Sequence, residues 1–564
     1  MQTRQTEKKM NGGRIIAETL KAYGVSHVFY MEAMLRFASL EMESLGIRRI
    51  ITHSEKAAAY MADGYARVSG RPGVCMAQSV GAANLAAGLQ DARLGCSPVI
   101  ALTGMKDPVF QNRNAYQELD HRLMYSTVTK MQAEIADPDQ ISHLFRHAFR
   151  SAVTGKPGPV HLDMPNHMGR TIELAESACI PAIDADCGTY PPYRPAADAS
   201  RIAGALEVLK KAERPVIVVG GGARVSGAGA AIMALARKQE IPLVTTPDGK
   251  GEIDELDPLW GGIVGSYSIA CANQIVNRAD TVIYVGSQVS DLVTCDWTIP
   301  LPGTTIIQID IEPAELGKNY PETLGIAGDA RTVVDQLAAA VPKRNRREWL
   351  AEAAEYVALW HTDIGSKLTS GEIPIRTERL CHEIERILPE NAVLVADTGY
   401  SAVWAATMIR IRPGQTFIRA SGSLGWAYPA SLGAKCGAPD RPVVCFTGDG
   451  AFYYHLAEME TAVRYGIKTV TIINNNQAYS QGVDEVKRVH REAGSAMNPE
   501  NMYRFTPVNL ARVAEEFGIT AFRVENPRDL KDALKKAFAC SGPVVVEVVT
   551  DINSRAAAAW KPEI

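Results

Sequence analysis

Val443-Val444-Cys445-Phe446-Thr447-Gly448-Asp449-Gly450 and, a little further on, Thr469-Val470-Thr471-Ile472-Ile473-Asn474-Asn475-Asn476 decide the fold. The first run is an apolar strand entering a tight Gly-Asp-Gly turn. A helical stretch, Ala451 to Tyr465, follows, and a second apolar strand ends in three asparagines. Strand, turn, helix and strand in that order make a βαβ unit. The turn and the end of the second strand then share the C-terminal edge of a parallel sheet, where such sheets bind ligands. A glycine turn at a helix start offers free backbone N–H groups and a favourable dipole to phosphate. Asp449 and the amide oxygen of Asn475 or Asn476 are hard oxygen ligands, and one carboxylate with phosphate oxygens is a usual way to hold Mg²⁺. The stretch therefore reads as a metal–diphosphate cradle.

Working outward, the first third of the chain alternates helices and strands. Arg14 to Tyr23 has helical periodicity, Gly24 stops it, and Val28-Phe29-Tyr30 reads as a strand. Arg49 to Thr52 is a second strand, ending at His53-Ser54-Glu55, and Lys56 to Val68 is an alanine-rich helix. Val74 to Gln78 runs into the small-residue turn Gly81-Ala82-Ala83-Asn84. Strands at Pro98–Thr103 and Val160–Asp163 complete a doubly wound pattern. Glu55 stands at a strand's C-terminal end, well placed to meet a ligand.

Prolines 181, 191, 192 and 195 mark a linker over about 170–195. A second α/β set follows, with Val216–Val219 before Gly220-Gly221-Gly222, then Leu243–Thr245, Thr281–Val285 and Thr305–Ile311. The glycines, with Asp310 and Glu312 at a strand end, suit a Rossmann-like nucleotide pocket, although GGG is not GxGxxG. The charge run Lys343–Arg347 opens another linker. The last set begins near Pro374 with a helix from Thr377 to Leu388, and Val393-Leu394-Val395 leads to Asp397-Thr398-Gly399. The expected fold class is α/β, with three Rossmann-like domains built on parallel sheets, at about 12–170, 196–342 and 374–555.

With GDG and Asn475-Asn476 on the page, the chain resembles the thiamine diphosphate enzymes of the acetolactate synthase, pyruvate oxidase and benzoylformate and pyruvate decarboxylase group. The resemblance runs from about residue 12 to 555 and names the domains pyrimidine-binding, central and diphosphate-binding. It implies Mg²⁺ on Asp449, Asn476 and the carbonyl of Ala478, with Gly448, Gly450, Ala451 and Tyr479 around the cofactor. It also implies a role for Glu55. The family pattern reads here His53-Ser54-Glu55-Lys56-Ala57-Ala58, then Ala62-Asp63-Gly64-Tyr65-Ala66-Arg67, continuing to Gly73-Val74-Cys75. Its glutamate bonds N1′ of the aminopyrimidine ring and so helps to activate the cofactor. Leu424, in Ser421-Gly422-Ser423-Leu424-Gly425, matches the bulky residue beneath the bent cofactor, and Gly422 the carbonyl facing its 4′-amino group. Ser401, in Asp397-Thr398-Gly399-Tyr400-Ser401, is expected on the diphosphate side. Gln117, in Ala115-Tyr116-Gln117-Glu118-Leu119-Asp120, matches a glutamine facing the thiazolium ring, and Gln78 stands where some decarboxylases carry a catalytic histidine.

The chain also departs from the family. Phe29-Tyr30-Met31-Glu32-Ala33-Met34 replaces a glycine-rich segment and puts Glu32 near the expected pocket mouth. Gln477-Ala478-Tyr479-Ser480-Gln481-Gly482-Val483-Asp484-Glu485 lacks the tryptophan that follows NN in acetolactate synthases, and the paired histidines of pyruvate decarboxylases are missing. The resemblance implies a lyase or carboligase that makes or breaks a C–C bond beside a carbonyl, with 2-oxo acid or aldehyde substrates. Two alternatives stand beside it: a 2-hydroxyacyl-CoA lyase or oxalyl-CoA decarboxylase, and a catalytically inactive cofactor-binding subunit. It further implies a homodimer or homotetramer with active sites at subunit interfaces, and FAD, ADP or nothing in the central domain.

A net charge of −4 over 564 residues points to small-molecule substrates rather than nucleic acid or an anionic membrane. The ten cysteines show no metal-type spacing, as expected of free thiols in a reducing cytoplasm. Met1 to Gly13 is polar and basic, unlike a signal peptide. No apolar run is long enough to span a bilayer.

Overall fold

Three six-stranded parallel sheets, each flanked by helices, organise the chain. The computed structural model describes residues 9–166 and 168–563. The reading of the extreme N-terminus as polar and basic falls mostly on residues 1–8, outside the described residues. Among the described residues no helix is long and apolar enough to cross a membrane.

The first sheet runs Arg48–Ile51, His27–Tyr30, Gly73–Gln78, Val99–Gly104, Val160–Met164 and Met131–Glu134 from edge to edge. The third runs Thr416–Arg419, Val393–Ala396, Val443–Gly448, Val470–Asn475, Val544–Val549 and Thr520–Val524. Both follow one topology, in which the earliest strand lies second and the order reverses between it and the third strand in sequence. No repeat is visible in the sequence, so this duplication is one of topology. The central sheet differs, running Trp260–Ile263, Leu243–Thr245, Pro215–Val219, Thr281–Val285, Thr305–Asp310 and Leu324–Ala327. The central strands are Val- and Ile-rich and buried on both faces, as parallel sheets covered by helices require.

Several local expectations change. The stretch from Ala451 to Tyr465 is two helices, Asp449–Phe452 and Glu458–Tyr465. Between them His455 turns inward and meets Tyr60 edge-on, with ring centroids 5.6 Å apart. Within the proline-marked linker, Glu176–Ser177 pairs antiparallel with Met10–Asn11 and ties the chain's start to the end of the first unit. Behind the charge run lies a 22-residue helix, Arg347–Leu368. Its Trp349, Ala353, Trp360 and Ile364 enter a core shared by the central and third sheets. All ten cysteines are free.

The first and third units meet along the helices Glu55–Ser69 and Ala427–Gly437. The approach is backbone to backbone. A Cβ on Gly64 would lie 2.0 Å from the Ala430 carbonyl oxygen, and one on Gly433 1.9 Å from that of Met61. Only glycine permits this seam.

Candidate functional site

The third sheet's order reverses between Val393–Ala396 and Val443–Gly448, the crevice where open α/β sheets bind ligands. Gly448-Asp449-Gly450 closes one side and Asp397 to Ser401 the other. A Cβ on Gly448 would be 3.5 Å from Ser401 Oγ, so the two lips touch. Asp449 is 3 % exposed and its Oδ2 has no partner. Burial pushes its carboxyl up to about 7, against backbone N–H donors that include Gly450, Gln477 and Ala478.

The three asparagines divide their tasks. Asn475 donates its amide to Glu547 Oε1 at 2.6 Å and accepts from Gln477 N–H at 3.2 Å. Asn474 Oδ1 accepts from Thr377. Asn476 donates to Ser480 Oγ at 3.1 Å, and its Oδ1 is buried without a partner. Of the two amide oxygens left open by the sequence, that of Asn476 is the free one. An unpartnered buried carboxylate oxygen and an unpartnered buried amide oxygen are a donor set for a hard cation. Ala478 is buried beside them, in a single antiparallel bridge with Arg504. Ala451 is buried too. The Tyr479 ring covers Gly450 so closely that a Cβ there would meet it at 2.6 Å. That ring is 44 % exposed and packs edge-on against Phe505.

The loop carrying Gly422 and Leu424 hangs between two buried carboxylates. Asp91, on the helix Gly81–Leu94, accepts the N–H groups of Ser421 and Ser423. Asp397 accepts those of Gly425 and Ala427, each at 2.9 Å. Burial raises the Asp397 carboxyl to about 6 despite these donors. Gly422 has φ +147° with open space around its Cα, and Leu424 is half-buried beside it. Arg67, 5 % exposed, ion-pairs with both Asp63 and Asp91 and donates to the Arg419 carbonyl. Asp63 also accepts from the Trp426 indole. Sequence reasoning gave no role to Asp91 or Arg67, because the backbone groups they hold in the third unit lie more than 300 residues away and leave no mark in the sequence.

In the first unit, Glu55 starts the helix Glu55–Ser69, capped by Ser54. Its Oε2 accepts from Asn84 at 3.2 Å, and a Cβ on Gly81 would lie 2.5 Å from its Oε1. The small-residue turn therefore exists to let the carboxylate in. Gln78 ends its strand with Oε1 buried and unpartnered. Gln117 has φ +60°, and its carbonyl accepts from Ser79 Oγ at 2.9 Å. Tyr400 is half-buried at the start of its helix. Glu32 is exposed and ion-paired with Arg36, while Ala33 beside it takes φ +136°, a conformation that favours glycine. Among the described residues no hydrogen bond joins Glu55 to Asp449 or Asn476.

A cavity of about 570 Å³ lies where the three units converge. Gly221, Gly222, Gly286 and Asp310 line it from the central unit, Cys96 and Lys156 from the first, and Arg419 and Ser421 from the third. Burial holds the Asp310 carboxyl up at about 6. Glu312 does not line the cavity; it caps Ala314 instead.

Comparison with known proteins follows the same three-part division. Family models of the thiamine pyrophosphate enzymes match at residues 10–124 (N-terminal TPP binding domain), 202–337 (central domain) and 397–548 (C-terminal TPP binding domain). The chain is 34 % identical over 570 residues to a probable acetolactate synthase large subunit from Methanocaldococcus jannaschii, covering 96 % of this chain and 92 % of that one. It is 30 % identical over 570 residues to an acetolactate synthase of Arthrospira platensis, covering 97 % and 95 %. It is 28 % identical over 568 residues to the acetolactate synthase isozyme 1 large subunit of Escherichia coli (strain K12), covering 98 % and 96 %.

Proposed function

The chain belongs to the thiamine pyrophosphate enzymes and is acetolactate synthase-like, and from that membership we propose that it joins or cleaves a carbon–carbon bond beside a carbonyl. The donor is a 2-oxo acid such as pyruvate, and the acceptor is an aldehyde or ketone.

The observation that carries this reading is the pair of buried, unpartnered oxygens, Asp449 Oδ2 and Asn476 Oδ1, at the reversal of the third sheet. They fit Mg²⁺, with the Ala478 carbonyl as a third protein ligand and diphosphate oxygens completing the shell. Thiamine diphosphate, when bound, supplies a centre that stabilises a carbanion. The chain's own residues bind and orient it. Gly448, Gly450, Ala451, Ser401 and Tyr479 line the diphosphate end. Leu424 would lie beneath the cofactor, and the Gly422 carbonyl would accept from its amino group. Glu55 holds and moves the proton at the aminopyrimidine nitrogen. Gln78 and Gln117 orient the carbonyl substrate.

The active unit in this reading is a homodimer, or two paired, in which Glu55 of one copy serves the cradle of the other. The central cavity is read as a site for FAD or ADP, with Asp310 toward ribose hydroxyls. An absorption spectrum of the purified protein and of the supernatant after denaturation checks it. The free thiols fit a reducing cytoplasm.

The test is mass spectrometry of products from 2-oxo acids and acyl-CoAs, with thiamine diphosphate and Mg²⁺ added. New acyloin or 2-hydroxy-2-alkyl acid products, or decarboxylation of a 2-oxo acid, support the reading. Formyl-CoA release would replace it with an acyl-CoA lyase, and no turnover of anything with an inactive subunit.

A further inference from the structure

Behind Gln78 and Gln117 lies a buried polar row that the proposed reaction does not use. His161 and Asp163 come from the strand Val160–Met164, Thr103 from the adjacent strand, and His121 from the short helix His121–Tyr125. All four are buried, and His121, His161 and Asp163 are close enough together to hold a metal ion. Thr103 Oγ1 occupies the middle instead. It lies 2.5 Å from His161 Nε2 and 2.7 Å from Asp163 Oδ1.

Donor accounting assigns the protons that the four side chains share. His121 Nε2 faces the Ser79 carbonyl at 2.9 Å, and a carbonyl only accepts. Thr103 has one hydroxyl proton and gives it to Asp163, so His161 Nε2–H donates to Thr103 Oγ1. Asp163 Oδ1 also accepts from the Met164 N–H at 3.2 Å, and its Oδ2 faces His121 Nδ1 at 3.0 Å. Both ring nitrogens of His121 therefore face acceptors, and the ring is an imidazolium paired with the Asp163 carboxylate. Electrostatics agree. Burial pulls both rings down and takes His161 to about 4, but the bond to Asp163, its charge and the Ser79 carbonyl hold His121 above the ordinary imidazole value. The titratable groups facing His121 are Asp163, His161 and Tyr125, with Asp120 next to it in the chain.

The carbonyl that His121 grips belongs to Ser79, a non-glycine residue at φ +30°. Ser79 follows Gln78 in the chain, and its hydroxyl holds the carbonyl of Gln117, another non-glycine residue in the left-handed region. Its carbonyl also accepts from the Ala82 N–H at the start of the next helix. Such backbone conformations persist only where neighbours over-determine them. One side chain thus braces the residue that links both glutamines.

We propose that His121, charged and anchored by Asp163, is a positioning residue that clamps Ser79 so that Gln78 and Gln117 meet the carbonyl substrate together. This rests on the reading of those glutamines as substrate-facing.

The test compares H121A and H121Q with wild type as holoenzymes carrying thiamine diphosphate and Mg²⁺. Four quantities are read: KM and kcat for the 2-oxo acid that wild type uses, cofactor affinity by calorimetry, C2 hydrogen–deuterium exchange, and melting temperature. In H121A the KM rises at least about tenfold, on the scale of a lost substrate-orienting contact, while C2 exchange and cofactor affinity stay within about twofold of wild type. In H121Q the amide N–H reaches the place of Nε2, donates to Ser79 and recovers most of the KM. An unchanged KM in H121A, equal losses in both variants, or a parallel fall in C2 exchange overturns the clamp. If H121A does not fold, nitrogen NMR of histidine-labelled wild type, assigned with H121Q, decides. A doubly protonated His121 ring at neutral pH and no zinc in the purified protein support the clamp; a neutral ring or stoichiometric zinc overturns it. A wild type that exchanges C2 but turns over no 2-oxo acid sinks the substrate reading alone, and the nitrogen spectrum then decides for or against the charged clamp.

Discussion

The Asp91 carboxylate holds the Ser421 backbone N–H with both oxygens, at 2.9 and 3.0 Å, across 330 residues of chain. It also holds the Ser423 N–H at 2.9 Å and pairs with the buried Arg67. The loop that carries Leu424 is thus pinned by a residue of a different sheet unit. Asp91→Ala leaves two N–H groups and one guanidinium short of a partner, and breaking a buried pair costs about 3–5 kcal/mol. The variant should melt well below wild type by calorimetry and retain less cofactor on gel filtration. Asp91→Asn, which keeps one oxygen acceptor, should fall between.

Asp449→Ala removes the one charged group of the metal cradle. Diphosphate would then approach without its counter-ion, and thiamine diphosphate affinity should fall by more than tenfold, about 1.4 kcal/mol or more. Titration calorimetry with and without Mg²⁺ reads it. Equal affinity in variant and wild type would remove the cradle from the account.

Glu55→Gln preserves shape and the bond to Asn84 but cannot exchange a proton. Loss of a positioned acid–base group costs about 10²–10⁴ in rate. C2 hydrogen–deuterium exchange should slow on that scale for a protein that still folds and binds cofactor. Mixing adds a second readout. Co-expressed Glu55→Gln and Asp449→Ala chains should regain about a quarter of wild-type activity, because half the symmetric dimers are mixed and each has one intact site. No recovery would mean that each chain completes its own site.

Much of this layout is legible in the sequence, and the illegible parts share a cause. Strand ends show themselves because apolar β-branched runs stop at glycine, aspartate or asparagine, as at Phe446–Gly450 and Ile473–Asn476. What separates Asn475 from Asn476 is Glu547, a buried residue inside the strand Val544–Val549, 72 positions later. At the break over Tyr453–Ala457, His455 packs on Tyr60 of the first unit, a tertiary contact of the kind that overrides a helical pattern. The helix Arg347–Leu368 did carry a signal, apolar residues at 349, 353, 360 and 364, hidden behind the basic run before it. The Ser79–Gln117 brace had none, since neither residue type advertises a positive φ.

Gly433→Ala puts a methyl 1.9 Å from the Met61 carbonyl oxygen, where backbone faces backbone. Neither helix can yield by a rotamer change, so overpacking costs about 1–3 kcal/mol or more. The variant should melt lower, and so should Gly64→Ala. Gly365→Ala, a control inside the helix Arg347–Leu368 with open space around it and no positive φ, meets no such clash.

His121 gives a pH signature. Its folded value lies above the 6.5 of an unperturbed imidazole. The folded state therefore binds the proton more tightly than the unfolded chain. The resulting stability is whole below about 6.5 and is lost as pH rises through the folded value. The melting temperature of wild type should fall more steeply above neutral pH than that of His121→Gln. Parallel curves would mean that the ring is neutral.

The glycine seam also sets a schedule. The helix Glu55–Ser69 leaves the ribosome about 360 residues before its partner Ala427–Gly437, which at 5–20 residues per second is a delay of roughly 20–70 s. Throughout that interval a helix whose outer face is alanine and glycine stands uncovered. The first unit is thus born with a bare flank, and its yield in a cell depends on what shields that flank until the last third of the chain arrives.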